Sequence, residues 1–179
     1  MKVDIVKVGY LQTNCYILTI ENECIIIDPG DEFDKIKKLI GNKKVLKVLL
    51  THHHFDHIGA LNNILNEYNV EVLDNTNLEE KEYDINKFKF RVIKTYGHTN
   101  DSVCFYFKED KIMFVGDFLF KESIGRCDLP TGNIQDMKKS LNKISKYDDD
   151  ITIYPGHGEI SNLGYEKKYN EYLKEELKW

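Results

Sequence analysis

The stretch from residue 51 to residue 57 reads Thr-His-His-His-Phe-Asp-His, and it is the most informative part of the sequence. It follows an apolar run at 45–50 that predicts a strand, and the apolar residues from Ile58 onward recur at helical spacing. The stretch is therefore expected to be a loop between a strand and a helix. Four side chains of metal-ligand type at this spacing would arise by chance in roughly 1 in 2,000 sequences of this composition.

The spacing of these four side chains indicates two neighbouring metal ions. Residues two apart in an extended chain point the same way, so His52 and His54 can bind one ion together. Asp56 and His57 come after the chain turns and can face a second ion. His53 points elsewhere and is left outside the site. Because neutral imidazole and carboxylate groups suit Zn²⁺, Fe and Mn²⁺, we expect two divalent ions, with Zn²⁺ as the first choice.

Three further residues of ligand type follow the ends of other predicted strands. They are His98, Asp117 and His157, which follow the predicted strands at 88–95, 111–116 and 151–154. Glycine precedes each of them, and glycine permits close approach and unusual dihedral angles. If these strand ends meet at one edge of a sheet, the two histidines add ligands to the two ions. Asp117 is then the obvious bridging carboxylate.

Helical patterns in the sequence also indicate where helices begin and end. Asp31 is expected to cap a helix over 33–41, and Asn133 to cap a helix over 134–146. A last helix is predicted over 163–177, with Tyr165 and Tyr169 among its inward-facing residues.

Length, charge and composition limit the class of protein. The 179 residues are expected to form one domain, residues 1–179. A formal net charge of −5 argues against a nucleic-acid partner, which needs a basic face. The longest apolar run is five residues, so no membrane partner is expected.

The cysteines and the N-terminal residues favour a cytoplasmic location. No signal segment precedes the first strand and the four cysteines form no C-x-x-C pair, which favours reduced thiols in a cytoplasmic protein. The oligomeric state stays open.

Taken in order, these motifs resemble the metallo-β-lactamase superfamily and, within it, the glyoxalase II group of hydroxyacylglutathione hydrolases. The resemblance covers nearly the whole chain, including Asn-Cys-Tyr at 14–16, Asp-Pro-Gly at 28–30 and the segment 120–130. It implies an α+β fold, the αββα four-layer sandwich, with a dinuclear metal site at one edge of the sheets.

The resemblance also implies which side chains bind which ion. The first ion would be held by His52, His54 and His98. The second would be held by Asp56, His57 and His157, with Asp117 as the bridge. Asp28 would not bind an ion itself but would fix the orientation of the histidine loop. Asn100 and Asp101 stand after Thr99 where relatives usually have proline and glycine.

The reaction implied is hydrolysis of a small-molecule thioester, such as S-lactoylglutathione or a related thiol adduct. A hydroxide that bridges the two ions would be the nucleophile, with Asp56 orienting it. A thiolate with a pKa near 8.5 leaves without a general acid. Ser123 and Arg126 are candidate substrate contacts, and Arg126 either binds a substrate carboxylate or forms a salt bridge with Asp128. The thiol stays open, because glyoxalase II contacts glutathione through a C-terminal helical domain and 22 residues follow His157.

Other functions share this motif. The main alternative is a persulfide dioxygenase with one iron held by His52, His98 and Asp117, which would consume O₂. An antibiotic-cleaving lactamase, a nuclease for RNA ends and a flavodiiron-type reductase are weaker alternatives. The non-enzymatic alternative is a metal-binding or redox-sensing module that has lost activity.

Overall fold

The apolar runs of the sequence form two β-sheets that pack face to face. The computed structural model describes residues 1–174. The first sheet contains, side by side in chain order, β1 (Lys2–Val8), β2 (Thr13–Ile20), β3 (Glu23–Ile27), β4 (Lys44–Leu49) and β5 (Glu71–Leu73). The second contains β6 (Glu82–Ile85), β7 (Phe88–Lys94), β8 (Val103–Phe107), β9 (Ile112–Gly116), β12 (Thr152–Pro155) and β13 (Ser161–Asn162). Their spatial order is β13-β12-β9-β8-β7-β6, and β10 (Leu119–Phe120) pairs with β11 (Ser123–Ile124) in a separate hairpin.

Helices cover the outer faces of both sheets. They are α1 (Phe33–Ile40), α2 (Phe55–Ile58), α3 (Leu61–Tyr68), α4 (Ile134–Ile144) and α5 (Leu163–Tyr169). Ile36 of α1 and Ile64 of α3 pack on the first sheet, whereas Met137 of α4 and Leu163 of α5 pack on the second. This arrangement is the αββα sandwich, so the predicted fold class is confirmed.

Alternating side chains decide which layer each strand residue joins. In β2, Tyr16 and Leu18 lie in the core between the sheets, while Cys15 and Ile17 face the helices. Both faces of this strand are buried, which explains its nearly continuous apolar sequence. The interior between the sheets is rich in aromatic rings, and Tyr16 meets Phe114 edge to face with centroids 5.0 Å apart.

Strand direction brings the predicted ligand residues to one edge of the sandwich. β9 and β12 are parallel, and β7 points the same way because both β7 and β9 are antiparallel to β8. The carboxyl ends of these three strands therefore lie together. Two backbone hydrogen bonds join the sheets at this edge: Val103 N–H donates to Thr51 C=O at 2.8 Å and Asn14 N–H to Gly156 C=O at 2.7 Å.

Two predictions about helices differ from the structure. Helix α5 ends at Tyr169, and the predicted positions 175–177 lie outside the described residues. Tyr165 and Tyr169 are partly exposed and contact each other rather than the core, so the prediction that they face inward was wrong. None of the helices within residues 1–174 has the length and apolar character that crossing a membrane requires.

Candidate metal centre

Five chain segments deliver the predicted ligand residues to the same point. The loop after β4 carries His52 and His54, and α2 carries Asp56 and His57. The remaining three, His98, Asp117 and His157, stand in the turns that follow β7, β9 and β12. Three groups of ligand atoms lie within 4.8 Å of one another: His52, His54 and His98; His52, His57 and Asp117; and Asp56, His57 and His157.

In the first group, three imidazole nitrogens converge. His54 Nδ1 is 3.1 Å from His52 Nε2 and 2.9 Å from His98 Nε2. Three imidazole rings packed this closely direct their nitrogen atoms at a shared point, where a cation is the natural partner.

In the group of Asp56, His57 and His157, a carboxylate and two imidazoles converge. His157 Nε2 lies 3.1 Å from Asp56 Oδ2, and His57 Nε2 lies 3.7 Å from the same oxygen. Asp117 lies between this group and the group of His52, His54 and His98. Its Oδ2 is 3.6 Å from His98 Nε2 and 3.5 Å from His157 Nε2, and its Oδ1 is 3.3 Å from His57 Nε2.

In His57, His98 and His157, a hydrogen bond on the side of the ring away from the centre fixes which nitrogen faces the centre. The Nδ1 atom of each ring contacts an oxygen: Arg126 C=O for His98 at 2.8 Å, Leu11 C=O for His157 at 3.0 Å and Asp28 Oδ2 for His57 at 2.9 Å. An N–H at each Nδ1 satisfies these acceptors, so each ring turns its Nε2 to the centre, where that nitrogen can bind a metal ion in place of a proton. This is the outer support that metal-binding histidines have in proteins.

Two buried atoms at the centre have no hydrogen-bond partner among the described residues. They are His57 Nε2 and Asp117 Oδ1. An unsatisfied buried polar atom is costly, and each of these two is a metal-ligand atom directed at the same point. The residues present therefore fit a divalent metal centre, and their nitrogen and oxygen donors suit Zn²⁺, Fe or Mn²⁺ alike.

The pKa values show how strongly this cluster attracts positive charge. For His57, burial lowers the pKa, but Asp28 and Asp117 more than offset it and raise the pKa to about 10. For His157, burial is likewise outweighed by Asp117 and Asp56, and the pKa rises to about 9. Burial would raise the pKa of Asp117, yet His157 and His57 hold it well below its usual value. In the metal-free protein, protons on these rings balance the carboxylates.

Asp28 ties the histidine loop to the first sheet. Its Oδ1 accepts from Thr51 N–H at 2.8 Å, and its Oδ2 accepts from Thr51 Oγ1–H at 2.7 Å. Thr51 Oγ1 is in turn 3.0 Å from His52 Nδ1. Asp28 thus reaches both His52 and His57, in the supporting role that the resemblance implies.

Glycine at position 156 is required by close packing against the centre. A Cβ atom there would lie 2.2 Å from Asp117 Oδ1 and 2.7 Å from His57 Cε1. Any side chain at this position would displace two of the ligand-type groups. Lack of space therefore explains Gly156, whereas Gly158, with a φ of +78°, is explained by the backbone freedom of glycine.

The two candidate substrate contacts are placed differently. Arg126 lines the cavity above the centre, and its side chain pairs side-on with Asp128 through two hydrogen bonds of 2.7 Å. This is the salt bridge that the sequence left open as one alternative. Ser123 stands exposed in the β10–β11 hairpin and is not among the residues that line the cavity.

Several supporting residues were not predicted from the sequence. Thr13 Oγ1–H donates to Asp56 Oδ2 at 2.9 Å. Glu166 of α5 is fully buried and accepts from Glu122 N–H at 2.8 Å and from Asn170 Nδ2 at 2.8 Å. A charged residue in an amphipathic helix is predicted to face solvent. The only signal in the sequence for the burial of Glu166 was its position on the apolar side of α5.

A cavity of about 820 Å³ opens above the centre, in the size range of small-molecule sites. Its floor contains His54, Asp56, His98, Asp117 and His157. Apolar side chains line its walls: Leu11, Phe55, Phe120, Leu129 and Pro130.

Comparisons with known proteins agree with this geometry. The family model of the metallo-beta-lactamase superfamily matches residues 8–73 and 70–157. Hydroxyacylglutathione hydrolase GloC of Haemophilus influenzae is 31% identical to this chain, over 97% of this chain and 98% of its own length. The crystal structure of BLEG-1 B3 metallo-beta-lactamase has a TM-score of 0.93 at 29% identity, covering 97% of this chain and 100% of that one. The structure of TTHA1623 in a di-iron-bound form has a TM-score of 0.88 at 30% identity, covering 96% and 100%.

Proposed function

Because this chain belongs to the metallo-beta-lactamase superfamily, whose members are metallohydrolases, we propose that it hydrolyses thioesters with two divalent metal ions, most simply Zn²⁺. The observation that carries the proposal is the convergence of seven ligand-type side chains, five of which form the floor of one cavity. The similarity to hydroxyacylglutathione hydrolase GloC supports the choice of a thioester.

Two ion sites follow from the groups already described. His52, His54 and His98 would hold one ion, and Asp56, His57 and His157 the other, with Asp117 between them. Ions bound there supply a water with a pKa near 7 and polarise a substrate carbonyl. Iron is the competing occupant, since the relative TTHA1623 is described in a di-iron-bound form.

The protein's own groups prepare the attack on the carbonyl. Burial opposes the charged form of Asp56, but His157, His57 and Thr13 hold its pKa well below the usual value. Asp56 is therefore a carboxylate at neutral pH and can accept a hydrogen bond from the attacking water, which orients it. Thr13 fixes this carboxylate by donating to Oδ2.

The leaving group distinguishes a thioester from an amide such as a β-lactam. Among the described residues that line the cavity, His53 is the one histidine outside the ligand groups, and both its nitrogens face carboxylates, Asp74 and Asp101. No proton donor of this kind is therefore directed at the reacting centre. A thiolate leaves without protonation, whereas an amine needs a proton, so this geometry favours the thioester.

The experiment is a substrate panel on protein loaded separately with Zn²⁺, Fe²⁺ or Mn²⁺, with the metal content measured. Release of free thiol from S-lactoylglutathione or from simpler acyl thiols, lost on chelation and regained on metal addition, supports the proposal. Opening of a β-lactam without thioester cleavage would overturn the proposal in favour of a β-lactamase. O₂ consumption with glutathione persulfide in an oxygen electrode would also overturn it, since that reaction belongs to a persulfide dioxygenase.

A further inference from the structure

The walls of the cavity carry almost no available positive charge. Among the described residues around it, Arg126 is the only guanidinium, and no lysine lines it. Arg126 is itself held by Asp128, so the pair presents both charges to an approaching ligand. A substrate carboxylate would have to displace Asp128 and remain close to it, which is electrostatically unfavourable.

The entrance to the cavity exposes large apolar side chains instead. Phe55 is 74% exposed and Leu11 is 46% exposed, although both are large and apolar. Tyr10, beside Leu11, is 97% exposed, and these three residues line one further depression next to the cavity. Exposed apolar side chains that cluster at the mouth of a cavity mark a binding surface rather than a packing need.

The apolar entrance is also held in place by the metal centre. The carbonyl of Leu11 accepts from His157 Nδ1 at 3.0 Å, and the turn that carries Leu11 is closed by Gln12 N–H donating to Gly9 C=O at 3.2 Å. Phe55 stands between His54 and Asp56 at the start of α2. The backbone that carries both apolar side chains therefore has a fixed position relative to the reacting centre.

We propose that the substrate of this enzyme is an uncharged, apolar acyl thioester, one whose thiol part carries no free carboxylate and whose apolar chain lies against Leu11 and Phe55. The inference rests on the proposed thioester hydrolysis and narrows it to a substrate class. A thioester of glutathione, which carries two carboxylates, would lack a free basic partner among the described residues that line the cavity.

The first test compares two substrates that differ in one charge. S-hexanoyl-N-acetylcysteine and its methyl ester share the acyl group and the thiol skeleton, and only the former carries a carboxylate. With metal-loaded protein, we expect kcat/KM for the methyl ester to be about tenfold higher, because the carboxylate meets Asp128 beside Arg126. An equal or higher kcat/KM for the acid would overturn the inference while thioester hydrolysis stands.

Asp128→Asn is the variant that isolates the charge effect. Without the carboxylate, Arg126 becomes available, so activity on the acid should rise several-fold while activity on the methyl ester stays the same. A fall in activity on the acid would mean that Arg126 needs Asp128 in order to bind a substrate carboxylate, and would also overturn the inference.

Leu11→Ser tests the apolar wall, because it keeps the backbone carbonyl that holds His157. We expect the preference for hexanoyl over acetyl esters to fall about threefold to tenfold, through KM rather than kcat, with metal content unchanged. Ile5→Ser is the matched control, since Ile5 is 40% exposed and lies on β1 away from the cavity. An unchanged chain-length preference in Leu11→Ser counts against the inference. Failure of the metal-loaded protein to cleave any thioester would instead remove the proposed function.

Discussion

Asp117 is the single residue on which both candidate ion sites depend. One of its oxygens faces His57, and the other lies within 3.6 Å of His98 and His157. Asp117→Ala should therefore lower the bound metal and reduce thioester kcat/KM by more than about 100-fold, beyond the 10–100-fold effect of outer supporting groups. Elemental analysis of the purified variant, together with its turnover, measures both effects.

Asp84→Ala serves as the control for that variant. Asp84 is an exposed carboxylate on β6, remote from the ligand groups, so its removal should change neither metal content nor turnover. Two bound ions and normal turnover in Asp117→Ala would show that the site assignment is wrong.

At the scale of elements, His53 joins the two loops that carry the first group of ligands. It lies in the loop after β4, its Nδ1 is 2.5 Å from Asp101 Oδ2 in the loop before β8, and its Nε2 is 3.1 Å from Asp74 Oδ2. The residue left out of the metal site thus helps to position it.

Asp101→Asn tests this connection between the loops. The pair is partly exposed, so its loss should change the free energy of unfolding by less than about 1 kcal/mol. Metal affinity should fall by roughly tenfold, since the His98 loop loses one of its supports. Competition with a chromophoric chelator measures the affinity, and thermal unfolding measures the stability. An affinity equal to that of the unchanged protein would remove the proposed role of the connection.

Helix α5 anchors the hairpin that precedes the Arg126 loop. Buried Glu166 accepts from Glu122 N–H and from Asn170 Nδ2, and Asn170 also donates to the carbonyls of Phe120 and Ser123. In Glu166→Leu, the Glu122 N–H and the Asn170 amide would lose this acceptor, at a cost of about 1–3 kcal/mol in the free energy of unfolding. Urea denaturation measures that cost.

The same variant also separates the hairpin from the metal centre. Glu166→Leu should raise KM, because the hairpin before the Arg126 loop loses its anchor. Its metal content should stay normal, because Glu166 contacts no ligand residue. Unchanged stability and KM would show that the helix does not hold the hairpin through this residue.

Local patterns predicted some elements well and others poorly. Asn133 caps α4, as predicted, with its side chain accepting from the backbone N–H of Gln135 and Asp136. Asp31 does not cap α1, because its side chain accepts from Glu32 N–H and Glu32 itself takes the cap position in a left-handed conformation. Short edge strands such as β6 were missed, since their pairing depends on a neighbouring strand rather than on their own sequence.

At the scale of the whole molecule, the position of the centre follows from topology. The sequence supplied the ligand residues and their strand ends, but the shared edge depends on strand direction in two sheets. The support of His98 by the Arg126 carbonyl and of His157 by the Leu11 carbonyl could not be predicted, since neither backbone group has a sequence signal. The fold, and the set of side chains that the structure brings together at this edge, were therefore accessible from the sequence, whereas the cavity walls required the structure.

Metal removal should destabilise the protein as a whole, because the centre joins the two sheets. One ion at 100 times its Kd stabilises the folded state by about 2.7 kcal/mol. For a chain of this length, each kcal/mol shifts Tm by roughly 2–4 °C. We therefore expect chelation to lower Tm by at least about 5 °C, measured by calorimetry, with recovery on adding metal.

The lowering of Tm on metal removal should depend on pH. His57 and His157 have folded-state pKa values of about 10 and about 9 in the metal-free protein, above the usual 6.5. Their contribution to metal-free stability is thus complete below about pH 6.5 and is lost as pH rises through 9 to 10. The lowered pKa values of Asp56 and Asp117 contribute to stability throughout this pH range, because both groups are ionised there.

Metal displaces the histidine protons and so binds more tightly as pH rises. The Tm difference between metal-loaded and chelated protein should therefore widen from pH 6.5 to pH 9, and a constant or narrowing difference would contradict the placement of His57 and His157 in the metal centre.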